Sequence, residues 1–193
     1  MRISDKNLFL HIETQQTQQI ILIGTLCGLF LEISGGIWDS ISHILHEPEY
    51  FWTIQHIVVY SGIITISISA IMGILFLIKC KTKMKFGLLI IMIGAVLQLS
   101  AGYIDSISHD IFGLDGLISI PHQTLESGLS LTAFGALLIS SINNQKLDLL
   151  FIISIILFIF SIGWLIFNLS LLVLDTIICI PIYQIFSSGC AIL

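Results

Sequence analysis

Long runs of apolar residues recur along the whole chain and restrict its possible folds more than any other feature. Of the 193 residues, 56% are hydrophobic and only 10% are charged, and the mean hydropathy is +1.05. A typical soluble domain has about 25% charged residues. Because an apolar run of about 18 or more residues can cross a bilayer as a helix, the sequence predicts an all-α integral membrane protein.

The hydropathy pattern predicts six transmembrane helices, each long enough to cross a hydrocarbon core about 30 Å thick. The predicted ranges are 18–45, 52–79, 86–111, 120–142, 148–167 and 169–188. The last two ranges share one apolar run that we divide at Asn168, and a single tilted or re-entrant segment is the alternative. The polar residues 1–17 lack the apolar centre of a cleaved signal peptide, so they are predicted to remain as an N-terminal tail.

The basic residues predict the orientation of these helices. With six spans, all seven fall on one side of the membrane: Arg2, Lys6, Lys79, Lys81, Lys83, Lys85 and Lys146. The positive-inside rule places that side, with the N-terminus, in the cytoplasm of a cell membrane. The opposite connections, "HEPEY" and "DIFGLDG", contain acids but no Lys or Arg. The chain has no basic patch to neutralise phosphates, so the predicted partner is the lipid bilayer and not a nucleic acid.

The chain contains an internal duplication. The stretch "GGIWDSISHILHEPEYFWTIQH" begins at Gly35, and "AGYIDSISHDIFGLDGLISIPH" begins at Ala101, an offset of 66 residues. Two spans per copy give both copies the same orientation, so we expect a pseudo-symmetric four-helix bundle around an axis along the membrane normal. The predicted organisation is a tail, repeat 1, a basic cytoplasmic loop, repeat 2 and a C-terminal hydrophobic hairpin, over residues 1–17, 18–79, 80–85, 86–142 and 148–193.

Each copy contains an Asp-x3-His-x12-His pattern. The residues are Asp39, His43 and His56 in the first copy and Asp105, His109 and His122 in the second. An Asp and a His four residues apart lie on one helix face. The twelve residues that follow complete this helix, turn and begin the next, so the second His can face the pair across the hairpin. Two imidazoles and one carboxylate make a three-ligand metal site with open positions, and we predict one such site per copy at the outer membrane face.

Three further polar side chains continue the same helix faces and are candidate accessory residues. They are Glu32, two turns before the first Asp; Tyr60, one turn after the second His of the first copy; and Glu126, at the equivalent position of the second copy. Glu126 is a candidate fourth ligand or base, whereas the first site has only Tyr60 at that position. Ionisable groups within a membrane are costly unless they are paired or bind an ion, so Glu32 is a candidate for a proton route to the first site.

The spacing Asp-x3-His-x12-His on a helical hairpin resembles a copper site in the membrane-bound (particulate) methane and ammonia monooxygenase family, where it lies in one of the integral membrane subunits. The matching residues are Asp39, His43 and His56, and equally Asp105, His109 and His122. The Thr-Pro-x-His element of that family is only partly retained, as "FWTIQH" and "ISIPH", and its Arg-Asp-Thr element is missing. The resemblance implies copper, additional membrane subunits, and oxygen chemistry on a small apolar or ammonia-like substrate.

The sequence leaves several hypotheses open. The chain can be a monooxygenase-like enzyme, or a metal acquisition or transfer protein without turnover. It can also be a b-type di-haem electron carrier, because four histidines on four helices can supply axial ligands. A purely structural polar cluster is the alternative to all three. Copper is the first choice of metal, zinc and iron suit the ligands almost as well, and a homo-oligomer and a dinuclear centre both remain open.

Overall fold

The computed structural model folds the chain into consecutive helices. Backbone structure is described for residues 2–45, 52–80, 82–112, 119–142 and 149–173, and side chains for residues 15–42, 45, 52–80, 82–108, 119–142 and 149–170. Over these ranges there are five helices and no strands: α1 (Arg2–Ile44), α2 (Ile54–Lys79), α3 (Lys85–Phe112), α4 (Ile120–Ile142) and α5 (Leu149–Val173). The predicted all-α fold is confirmed.

All five helices are long and apolar enough to cross a membrane. The candidate spans are Gln15–Ser42, Ile54–Lys79, Lys85–Ser108, Ile120–Ile142 and Leu149–Ser170. The most apolar part of α5 is only 17% buried within the chain, against 56% for that of α4. Because most of its surface faces outwards, α5 lies at the edge of the bundle, where its apolar side chains suit lipid.

Two predicted boundaries differ from the structure. The polar segment 1–17 is helical from Arg2 and continuous with the first span, because a polar helix has no hydropathy signal. The division at Asn168 was wrong, since α5 continues through this residue to Val173. Asn168 is 2% exposed and donates a hydrogen bond to Glu126 of α4, so it joins two helices instead of ending one. Most of the predicted helix 169–188 lies outside the described residues, and the sixth span stays a prediction.

Glycine pairs bring neighbouring helices into backbone contact. A Cβ on Gly62 of α2 would lie 2.6 Å from the carbonyl oxygen of Gly28 in α1. A Cβ on Gly128 of α4 would likewise lie 2.8 Å from the carbonyl oxygen of Gly94 in α3. Any side chain at these positions would overlap the backbone of the facing helix. Small residues therefore set the close packing of α1 on α2 and of α3 on α4.

Successive helices run antiparallel, which brings four helix ends together. Near the end of α1, Ser42 accepts a 3.0 Å hydrogen bond from Gln55 at the start of α2. The hydroxyl of Tyr60, in the first half of α2, lies 3.3 Å from the carbonyl oxygen of Gly102 in the second half of α3. The ends of α1 and α3 and the starts of α2 and α4 therefore share one end of the bundle, which we name the site end.

Candidate metal site

A cavity of about 70 Å³ lies at the site end and is lined by residues of all five helices. Its ionisable lining residues are Glu32, Asp39, His56, Tyr60, Asp105, His122 and Glu126. The cavity thus contains the Asp and the second His of both sequence copies, together with all three accessory candidates. A water molecule needs about 10–15 Å³ of such space, so there is room for an ion with several water ligands.

Two of the six predicted ligands are not described at the level of side chains. His43 belongs to α1 and His109 to α3, each one turn beyond the Asp of its own copy. Their side chains lie outside the described part of the chain. Within that part, no group of three or more His, Cys, Asp and Glu side chains is arranged to hold a metal ion. The site as described therefore consists of two Asp–His pairs and the glutamates near them.

In the first copy, Asp39 is paired with His56. Asp39 is buried near the end of α1, and the Nε2 atom of His56 lies 3.3 Å from its Oδ1. His56 lies in the first turn of α2, which begins at Ile54, so the helical hairpin brings the two side chains together. Two ligands with bonds of about 2.0–2.2 Å to one ion lie roughly 3–3.5 Å apart. The observed separation is therefore suitable for joint coordination of a single ion.

In the second copy, Asp105 is paired with His122. The Nδ1 atom of His122 lies 3.8 Å from Asp105 Oδ1, slightly farther than in the first copy. Ser119 precedes α4, accepts a hydrogen bond of 3.3 Å from the backbone N–H of His122, and lies 2.7 Å from its Nδ1. Such an N-cap stabilises the start of the helix. Ser119 therefore fixes both the helix start and the orientation of the imidazole ring.

Tyr60 links the two copies. It belongs to the first copy, yet its hydroxyl lies 3.4 Å from Asp105 Oδ2 in the second copy. Gly102 makes this approach possible, because a Cβ there would lie 2.6 Å from the Cε1 atom of Tyr60. Tyr60 therefore contacts the Asp of the second site, whereas the sequence placed it beside the first.

Glu32 and Glu126 lie deeper in the cavity, and each has one oxygen held by a neighbour. Glu32 is 2% exposed and accepts a 3.1 Å hydrogen bond from Gln98. Glu126 is 6% exposed and accepts hydrogen bonds from Trp164 (3.0 Å) and Asn168 (2.6 Å). Sequence reasoning missed both α5 partners, although the offset of 66 residues already aligned Gln98 with Glu32.

The charges in the cavity are unbalanced. Four carboxylates line it, from Glu32, Asp39, Asp105 and Glu126, and none of the described lining residues is Lys or Arg. The remaining wall is mostly apolar and includes Leu129. Carboxylates among membrane-length helices are costly unless protons or bound cations neutralise them. The cavity can therefore attract and hold cations, and its imidazoles add ligands that suit transition metals.

No family model matches this chain, and neither does any curated protein or any solved structure. The resemblance to the membrane monooxygenases therefore rests on six residues and their spacing. A functional assignment must accordingly be argued from the contacts and charges of the cavity itself.

Proposed function

We propose that the chain is a multi-pass membrane protein that binds metal ions, with copper as the first choice, at two Asp/His/His sites. The first site consists of Asp39, His43 and His56, and the second of Asp105, His109 and His122. The observation that carries this proposal is the convergence of both Asp–His pairs on one cavity, with separations of 3.3 and 3.8 Å between Asp oxygen and His nitrogen.

The proposal includes a duplicated two-helix unit around a pseudo-twofold axis. Gly28 and Gly62 make the same close contact as Gly94 and Gly128, which lie 66 residues later. Glu32 and Gln98, also 66 residues apart, are hydrogen bonded to each other. Two equivalent residues can touch only beside the axis that relates the copies. These contacts support a symmetric arrangement in which the two Asp–His pairs lie on either side of this axis.

The proposed topology has six spans, with the sites at the outer face of the cell membrane. The sixth span falls in 174–193, beyond α5, where the sequence remains apolar. With six spans, all seven Lys and Arg lie on the cytoplasmic side, opposite the site end. Ligands at the site end are then accessible to metal ions from outside the cell.

Ligand chemistry and cavity size both favour a metal ion over haem. Imidazole with carboxylate suits copper, zinc and iron, and the resemblance to the membrane monooxygenases favours copper. A cavity of about 70 Å³ holds an ion and its water ligands more readily than a macrocycle. Bound copper would supply redox chemistry. The apolar wall beside the Asp–His pairs, including Val59 and Leu125, would exclude bulk water and accommodate a small apolar substrate.

Copper titration of site variants tests this proposal. Purified protein in detergent should bind about two copper ions, one per triad, because each triad supplies three ligands. Asp39→Asn should remove the first ion, Asp105→Asn the second, and the double variant both, since Asn keeps the shape but not the charge of Asp. His11→Ala, in the N-terminal tail, serves as the matched control and should bind like the wild type. Unchanged stoichiometry in the double Asp variant would refute the assignment.

A further inference from the structure

The cavity has a second polar region that the Asp–His pairs do not explain. Glu32 lies seven residues before Asp39, about 10 Å deeper along α1 at 1.5 Å per residue. Glu126 lies four residues after His122, about 6 Å deeper along α4. Both glutamates line the cavity. We propose that Glu32 and Glu126 form a separate inner site for a hard divalent cation such as Mg²⁺, Mn²⁺ or Ca²⁺.

The hydrogen bonds of the two glutamates are those expected of metal-binding carboxylates. Oε2 of Glu32 accepts from Gln98, and Oε1 of Glu126 accepts from Trp164 and Asn168. The other oxygens, Glu32 Oε1 and Glu126 Oε2, are buried without a hydrogen-bond partner among the described residues. Carboxylates that bind metals are typically fixed by hydrogen bonds in this way. Each glutamate is therefore oriented by its neighbours and has one oxygen left for a ligand.

Charge balance favours a cation here. The donors to the two glutamates are two amides and an indole, all of them neutral, so they orient the carboxylates without neutralising them. Two ionised glutamates carry a charge of −2, which a single divalent ion balances. A buried unpartnered carboxylate costs several kcal/mol, so binding this ion would remove a large penalty.

The ligand types separate the inner site from the outer ones. Both glutamates offer only oxygen, whereas each outer triad includes two imidazoles. Hard cations such as Mg²⁺, Mn²⁺ and Ca²⁺ prefer carboxylate and water oxygens, and copper and zinc prefer imidazole. The cavity of about 70 Å³ has room for the water ligands that would complete the coordination of a hard cation. The inner site therefore selects a different class of ion and does not depend on copper binding outside it.

Trp164 provides an optical test, because its indole nitrogen lies 3.0 Å from Glu126. Tb³⁺ is a hard cation that binds oxygen ligands, and a tryptophan within a few ångströms sensitises its luminescence. The chain has three tryptophans, so the variant Trp38→Phe/Trp52→Phe retains Trp164 alone. Excitation of indole in this variant, as the full chain in detergent, should produce Tb³⁺ emission that Mn²⁺ or Ca²⁺ suppresses by competition.

Substitutions in the same background assign the emission to the glutamates. Glu32→Gln and Glu126→Gln, tested separately, should each weaken Tb³⁺ binding by roughly tenfold or more while preserving side-chain shape. His56→Ala/His122→Ala should leave Tb³⁺ binding unchanged and reduce copper binding, which separates this proposal from the proposed function. Circular dichroism and elution volume identify any variant that fails to fold, and Asp then replaces Gln at that position. Absence of sensitised emission, or emission that neither glutamate substitution weakens, would overturn the inner site.

Discussion

Gly128→Ala should destabilise the bundle, because α3 and α4 are in backbone contact at this residue. A Cβ on Gly128 would lie 2.8 Å from the carbonyl oxygen of Gly94 and 3.1 Å from the backbone nitrogen of Gln98. Both contacts are with backbone atoms, so the helices must move apart to admit the methyl group. Overpacking of this kind costs about 1–3 kcal/mol. Separation of α3 from α4 should also pull Asp105 away from His122 and weaken metal binding at the second site.

Reversible unfolding in mixed micelles, followed by far-UV circular dichroism, measures this cost. The matched control is Gly163→Ala in α5, where an added Cβ meets nothing within 4 Å. Alanine is favoured over glycine in a helix by up to about 1 kcal/mol, so this control should be neutral or slightly stabilising. If Gly128→Ala is as stable as Gly163→Ala, the close packing of α3 on α4 is refuted. Gly62→Ala, at the equivalent contact of α1 and α2, should behave like Gly128→Ala.

Two further predictions concern contacts around the cavity. Asn168→Leu removes the 2.6 Å hydrogen bond to Glu126 and should lower the unfolding free energy by about 0.6–1.7 kcal/mol, measured by the same assay; a gain in stability would contradict an anchoring role. Ser119→Ala should cost about 1 kcal/mol and weaken copper binding at the second site, because Ser119 caps α4 and contacts His122. Thr53→Ala is its matched control, since Thr53 makes no side-chain cap bond to α2. Equal effects of the two substitutions on stability and copper affinity would refute this difference.

Asymmetry between the two copies gives the sites different surroundings. Tyr60 contacts Asp105, whereas Glu126 is held by Trp164 and Asn168 of α5. The second site thus has neighbours from the first copy and lies beside a helix outside the repeat. Groups next to a metal ligand tune its affinity by about 10–100-fold. The two sites should therefore differ in affinity even though their ligand sets are the same.

Sequence alone predicted the ranges of α2, α3 and α4 closely, because polar residues interrupt the apolar runs at their ends. It also predicted that Asp39 would approach His56 and that Asp105 would approach His122, since both pairs lie on helical hairpins. Contacts between hairpins were not predictable. Hydropathy cannot distinguish an asparagine that ends a helix from one that bonds to a neighbouring helix, as Asn168 does.

Metal content together with an absorption spectrum tests the central claim most directly. Purified wild-type protein should be compared with the variant His43→Ala/His109→Ala, which removes one imidazole from each proposed site. We expect about two copper ions per chain in the wild type, loss of both in the variant, and no Soret band, because three-ligand sites need every imidazole. A Soret band, or neither metal nor haem after each has been supplied, would contradict the account.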